Sequence, residues 1–123
     1  TDVTIIATGH LVWEALKASE ELEREAIYAE VINIHTIKPL DEDIILKSVQ
    51  KTGCLVCAEE HNYLGGMGES IAGLLSLKSP CPIEFVATQD TFGESGTPAQ
   101  LMSKYGLDKK AIMAKVASVL KRK

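Results

Sequence analysis

Four short runs of apolar, largely β-branched residues divide the chain: Val3 to Thr8, Glu30 to Ile34, Cys54 to Ala58 and Ile83 to Ala87. The first and third show no regular polar alternation. That is the pattern of strands buried on both faces, which belong in parallel sheets. Between the runs lie stretches of helical length. From Leu11 to Ala26 the positions Val12, Ala15, Leu16, Ser19, Leu22 and Ala26 recur at helical spacing, with Glu14, Lys17, Glu21 and Arg24 on the other side. Pro39 excludes helix from the residue before it, and Asp41 is placed to cap a helix that carries Ile44, Ile45 and Val49 and stops at Gly53. Gly65-Gly66-Met67-Gly68 opens a helix through Ile71, Leu74 and Leu75. Thr97 and Pro98 start a short helix that Gly106 ends, and Asp108 caps a last one whose inward face is Ile112, Val116, Val119 and Leu120. Strands alternating with helices make right-handed βαβ crossovers and an α/β domain with a parallel sheet.

The 123 residues suit one domain, 1–123, and bury enough surface to fold without disulfides or a structural metal. A net charge of −4 argues against nucleic acid or an anionic membrane as a partner. No apolar run approaches the roughly 18 residues of a membrane span, and three cysteines is an odd count, so a reducing cytoplasm is expected. Thr1 and Asp2 lead straight into a strand, as expected of a piece of a longer chain.

Cys54-x-x-Cys57 has the spacing of metal and dithiol sites, but within a strand residues three apart point to opposite faces. Both are expected to be buried structural thiols, and Cys81, between two prolines, a partly exposed one. Gly66-x-Gly68 can offer backbone N–H groups to a phosphate. It follows the third strand rather than the first, however, and Ile71 stands where the dinucleotide fingerprint has its third glycine, so a tight turn with a close backbone neighbour is the expectation. Gly93-Glu94-Ser95-Gly96-Thr97 lacks the final glycine of a nucleophile elbow, and Ser95 would need His61 from another segment to complete a triad. Glu59-Glu60-His61 follows the C-terminal end of a parallel strand, the edge where α/β folds place ligands. Consecutive side chains diverge, though, and no second ligand cluster accompanies them. The residues alone offer no self-sufficient active site: no catalytic, cofactor-binding or metal-ligating residue is assigned.

Several strings taken together are more specific. Ala7-Thr8-Gly9-His10, His35-Thr36-Ile37-Lys38-Pro39-Leu40-Asp41, Glu59-Glu60-His61 with Gly65-Gly66-Met67-Gly68-Glu69, and Phe92-Gly93-Glu94-Ser95-Gly96-Thr97-Pro98 occur in this order along the whole chain. The sequence resembles the C-terminal domain of transketolases, within a superfamily that also holds 1-deoxy-xylulose-5-phosphate synthases and 2-oxoacid dehydrogenase β-subunits. The run Phe92 to Pro98, with Leu101-Met102-Ser103-Lys104-Tyr105-Gly106-Leu107-Asp108 after it, resembles transketolases in particular, especially those split into two chains.

The resemblance implies a domain of an enzyme that moves a two-carbon ketol unit between sugar phosphates. It implies thiamine diphosphate and magnesium in the whole enzyme, held by other domains and not by this chain alone. It implies as partners the domains or subunit carrying those cofactor regions, in a homodimer or heterotetramer. The family's sheet has a fifth, antiparallel strand that precedes the position of Thr1, so the expectation here is a three-layer α/β/α domain with a four-stranded parallel sheet in the order 2-1-3-4. The assembly surface is expected at Glu59, Glu60, His61, Tyr63, Leu64, Gly65 and Gly66. Tyr63 and Leu64 are bulky for a lone domain's loop, the glycines let another backbone approach, and at least one of the two glutamates should find a basic group or a backbone donor. Two other readings stand beside this one: a fragment of 1-deoxy-xylulose-5-phosphate synthase, and a free-standing α/β ligand-binding or regulatory module.

Overall fold

The structure, a computed structural model, describes residues 1–9, 11–34, 41–59, 67–87 and 109–123. Within them, strands β1 (Val3–Ala7), β2 (Ala29–Asn33), β3 (Leu55–Glu59) and β4 (Ile83–Ala87) alternate with helices α1 (Leu11–Arg24), α2 (Glu42–Thr52) and α3 (Met67–Lys78), and α4 (Lys109–Arg122) closes the chain. The sheet is parallel throughout and ordered β2-β1-β3-β4. That is the expected α/β architecture and strand order. The short helix expected between Thr97 and Gly106 lies outside the described residues, as does Asp108.

The two central strands are buried along their whole length, which is why their sequences lack polar alternation. Side chains alternate between two apolar layers. Val3, Ile5, Ala7, Cys54, Val56, Ala58 and Val86 meet α1 and α4 on one face. On the other, Ile6, Leu55 and Cys57 meet Ile45 and Val49 of α2 and Ile71 and Leu75 of α3. Cys54 and Cys57 therefore lie in different layers, as strand geometry requires, although Cys54 stands one residue before β3 rather than inside it. All three thiols are free, and Cys81 is partly exposed.

Two helix faces differ from the sequence reading. The buried line of α1 is Leu11, Ala15, Ala18 and Leu22, while Leu16 is 44% exposed. The residues i, i+4, i+7 and i+11 share one side of a helix, and the small Ala15 and Ala18 let the backbone sit close to the sheet. Leu16 falls outside that line. Nor does the helix reach Ala26, which adopts φ 62°. The Ile27 N–H there donates to the Leu22 carbonyl and the Ala26 N–H to that of Glu23, a left-handed terminus with alanine in glycine's usual place. In α2, Ile45 and Val49 are buried but Ile44 is half exposed. The caps are as expected: Asp41 accepts the Ile44 N–H at 3.4 Å, and Gly53, at φ 79°, supplies the left-handed stop.

One buried polar seam crosses the second layer. Thr4, in the middle of β1, places its hydroxyl 2.7 Å from both Ser48 and Thr52 of α2. The Glu30 carboxylate of β2 lies on the same face and pairs with Lys51 of α2 at 2.6 Å. At the far end of the domain, Arg122 donates to the outward carbonyl of Ile83 and pairs with Glu84. This covers part of β4's open edge with charge. Beside it, the Lys123 ammonium donates to the Asp2 carbonyl at 3.0 Å.

Candidate functional site

In an open parallel sheet the C-terminal strand ends form the edge where loops collect and ligands bind. β3 reaches that edge at Glu59, whose side chain is all but buried, at 2% exposure. A carboxylate there needs a donor, and α3 supplies one: the Gly68 N–H, in the first turn, donates to Glu59 Oε1 at 3.2 Å. The geometry is that of an anion at a helix N-terminus, where unpaired N–H groups and the helix dipole both favour negative charge. The anion is the domain's own. Gly68 thus spends on Glu59 the N–H that a phosphate would have used. The expectation that one of the paired glutamates finds a backbone donor is met at Glu59.

Gly68 also meets the sequence expectation of a close neighbour. A Cβ on it would lie 2.8 Å from Phe85 Cε1 and 2.9 Å from Cδ1, with Glu59 Oε1 at 3.4 Å. The neighbour is an aromatic ring of β4 inside the same domain. Only a residue without a side chain lets α3 settle against the β3–β4 edge. Phe85 itself is 38% exposed. No sequence signal pairs it with Gly68, since the contact joins two elements whose spacing says nothing about their approach.

Next to this edge, burial and the Glu59 charge push the Cys57 thiol far up, and burial likewise raises Cys54 and Cys81. None is poised as a thiolate. Glu60, His61, Tyr63, Leu64, Gly65 and Gly66 lie outside the described residues, as do His10, His35 and the run from Phe92 to Pro98. Among the described residues no three His, Cys, Asp or Glu side chains come together to hold a metal ion. No helix there is long and apolar enough to cross a membrane.

The model of the transketolase C-terminal domain matches residues 1–112. The chain belongs to this family. A 6-deoxy-6-sulfo-D-fructose transketolase subunit of Clostridium sp. (strain MSTE9) is 46% identical over 122 residues, covering 99% of this chain and 38% of that one. A solved split-gene transketolase, described as an inactive β4 tetramer, superposes with a TM-score of 0.92 at 42% identity, over 98% of this chain and 39% of the other. A 1-deoxy-D-xylulose-5-phosphate synthase of Heliobacterium modesticaldum is 38% identical over 108 residues, covering 87% of this chain and 17% of its own. The chain spans about two-fifths of the length of the first two proteins. Against the thiamine diphosphate and divalent metal of the transketolase superfamily, the described residues are a poor fit. A diphosphate-bound cation needs several convergent oxygen donors, and the carboxylate at the sheet edge is instead turned inward onto Gly68.

Proposed function

We propose that this transketolase C-terminal domain serves an enzyme transferring two-carbon ketol units between phosphorylated sugars, and that it contributes assembly rather than reacting groups. Thiamine diphosphate and magnesium are held by other domains or by a partner subunit, in a homodimer or heterotetramer. One observation carries the assembly reading: at the edge where α/β domains present ligand-binding groups, Glu59 is buried and bonded to Gly68 of its own fold. The similar Clostridium subunit is described as acting on a sulfonated sugar, so the substrate class extends to sugars carrying a sulfonate in place of a phosphate.

The surface that engages the rest of the enzyme is the segment after β3, His61 to Gly66, including Tyr63, Leu64 and Gly65, with Glu59 and Glu60 behind it. Tyrosine is a frequent interface anchor because it buries much area with few rotors. The synthase reading has weaker support, because the Phe92 to Pro98 run follows the transketolase pattern.

Ketol transfer assayed with a cognate chain that carries the cofactor regions, with and without this one, tests the reading. Activity should require both chains, and turnover by the 123-residue chain alone with added cofactor and magnesium would refute it. Tyr63→Ala with Leu64→Ser should weaken assembly and leave the melting temperature nearly unchanged. Tight binding of a sugar phosphate or nucleotide by the isolated chain would favour the free-standing module instead.

A further inference from the structure

The outward side of α1 carries a pattern that the fold does not use. Trp13 is 67% exposed although it is the only tryptophan in the chain. At about 100° per residue it points nearly opposite the buried line through Leu11, Ala15, Ala18 and Leu22. Lys17, Glu20 and Arg24 follow at intervals of four, three and four residues, and all are exposed. Trp13, Lys17, Glu20 and Arg24 therefore form one straight stripe along the outermost surface of the helix. Leu16, 44% exposed, flanks it.

The order of residues along this stripe is self-complementary. Reversing the helix about the midpoint between Ala18 and Ser19 brings Trp13 opposite Arg24 and Lys17 opposite Glu20, each pairing occurring twice. An antiparallel helix pair with 4-3-4 spacing has this layer arrangement. Guanidinium over indole is a favourable cation–π pairing, and Lys17 with Glu20 is an ion pair. In a parallel pair the same residues would set Lys17 against Lys17 and Glu20 against Glu20, so charge selects the antiparallel register. Lys17 already donates to Glu14 at 2.9 Å, but an ammonium has three N–H donors and can serve both carboxylates.

We propose that the outer face of α1 is a docking surface for a second copy of this chain, in an antiparallel two-fold contact that sets Trp13 against Arg24 and Lys17 against Glu20. A single helix pair buries less than the roughly 1,200 Å² of a stable independent interface. The contact is accordingly weak, with a dissociation constant on the order of 0.1 mM.

Sedimentation equilibrium of the 123-residue chain up to about 1 mM reads the association, and the Trp13 emission reads burial of the ring in the same samples. A monomer–dimer equilibrium is expected, with a blue shift of the emission as concentration rises. Trp13→Ala should weaken dimerisation at least tenfold. So should Lys17→Glu and Glu20→Lys, each of which sets like charges face to face. The doubly exchanged chain, K17E with E20K, should recover the dimer to within about threefold, and mixing the two singly exchanged chains should yield a heterodimer that neither forms alone. A cooperative melt of each variant verifies folding, with Lys17→Glu melting somewhat lower because it also loses its pair with Glu14. A chain that stays monomeric overturns the proposal, as does a dimer indifferent to Trp13→Ala or charge exchanges that do not rescue each other.

Discussion

The Glu14 carboxylate of α1 accepts the backbone N–H of Lys109, the first residue of α4, at 3.0 Å and across 95 positions of sequence. A helix start leaves its first N–H groups without intrahelical partners, and here a neighbouring helix provides one. Lys17 steadies the other oxygen of Glu14. The Lys109 ammonium pairs with Glu21, holding that carboxyl below its ordinary range. One residue is thus gripped by α1 through both its backbone and its side chain. Glu14→Ala is expected to cost about 1–2 kcal/mol, as loss of an N-cap does, while Lys109→Ala, losing only a partly exposed ion pair, should cost less than about 1. Urea denaturation separates the two, and amide exchange in the first turn of α4 should quicken only in the Glu14 variant.

The contact of Gly68 with Phe85 predicts a pair of coupled substitutions. Gly68→Ala places a methyl within 3 Å of the Phe85 ring and should destabilise by about 1–3 kcal/mol, as overpacking does. Phe85→Ala removes the obstruction, so the double variant should be more stable than the sum of the two losses predicts. Strict additivity would mean that Gly68 is needed for the local backbone and not for the approach.

Acid should loosen the join between β2 and α2. The hydrogen bond from Lys51 holds the Glu30 carboxyl below the ordinary glutamate value of 4.5. A depressed folded value means that the stabilisation is fully present above that figure and is lost as pH falls through the folded one. Glu30→Gln should flatten the stability profile below about pH 4.5 and lower neutral stability by the same amount, which is modest because the pair is partly exposed and screened. Thermal melts between pH 3 and 7 check this, and an unaltered acid slope would assign the loss to other carboxylates.

The cysteines should react in the order of their access. Cys81 is partly exposed, whereas Cys54 and Cys57 are enclosed in opposite layers and all three are held as thiols by burial. An aromatic disulfide reagent should titrate Cys81 alone in the native protein and three thiols after denaturation. A disulfide between Cys54 and Cys57 would require a layer to open.

Much of this architecture was legible in the residues because burial on two faces writes itself directly into Val3 to Thr8 and Cys54 to Ala58. Asp41 and Gly53 could be placed because each acts within a few residues of itself. The rotation of α1 was harder to read, since Leu16 and Ala18 both satisfy a helical period and only the sheet decides which points inward. The partners of Glu59, Gly68 and Glu14 depend on contacts between elements far apart in sequence. The need of Glu59 for a donor followed from its charge, whereas Gly68 as that donor, with Phe85 closing over it, required the packing of α3 on β3 and β4.

The bond between Lys123 and Asp2 brings residues 2 and 123 to the same part of the domain. Both ends of the polypeptide emerge at one corner, on the side where β1 begins, away from the edge that carries Glu59. Anything fused to either end would hang from that corner as from a hinge plate and leave the opposite edge clear. The same layout should tolerate closing the chain into a ring with a short linker from Lys123 to Thr1.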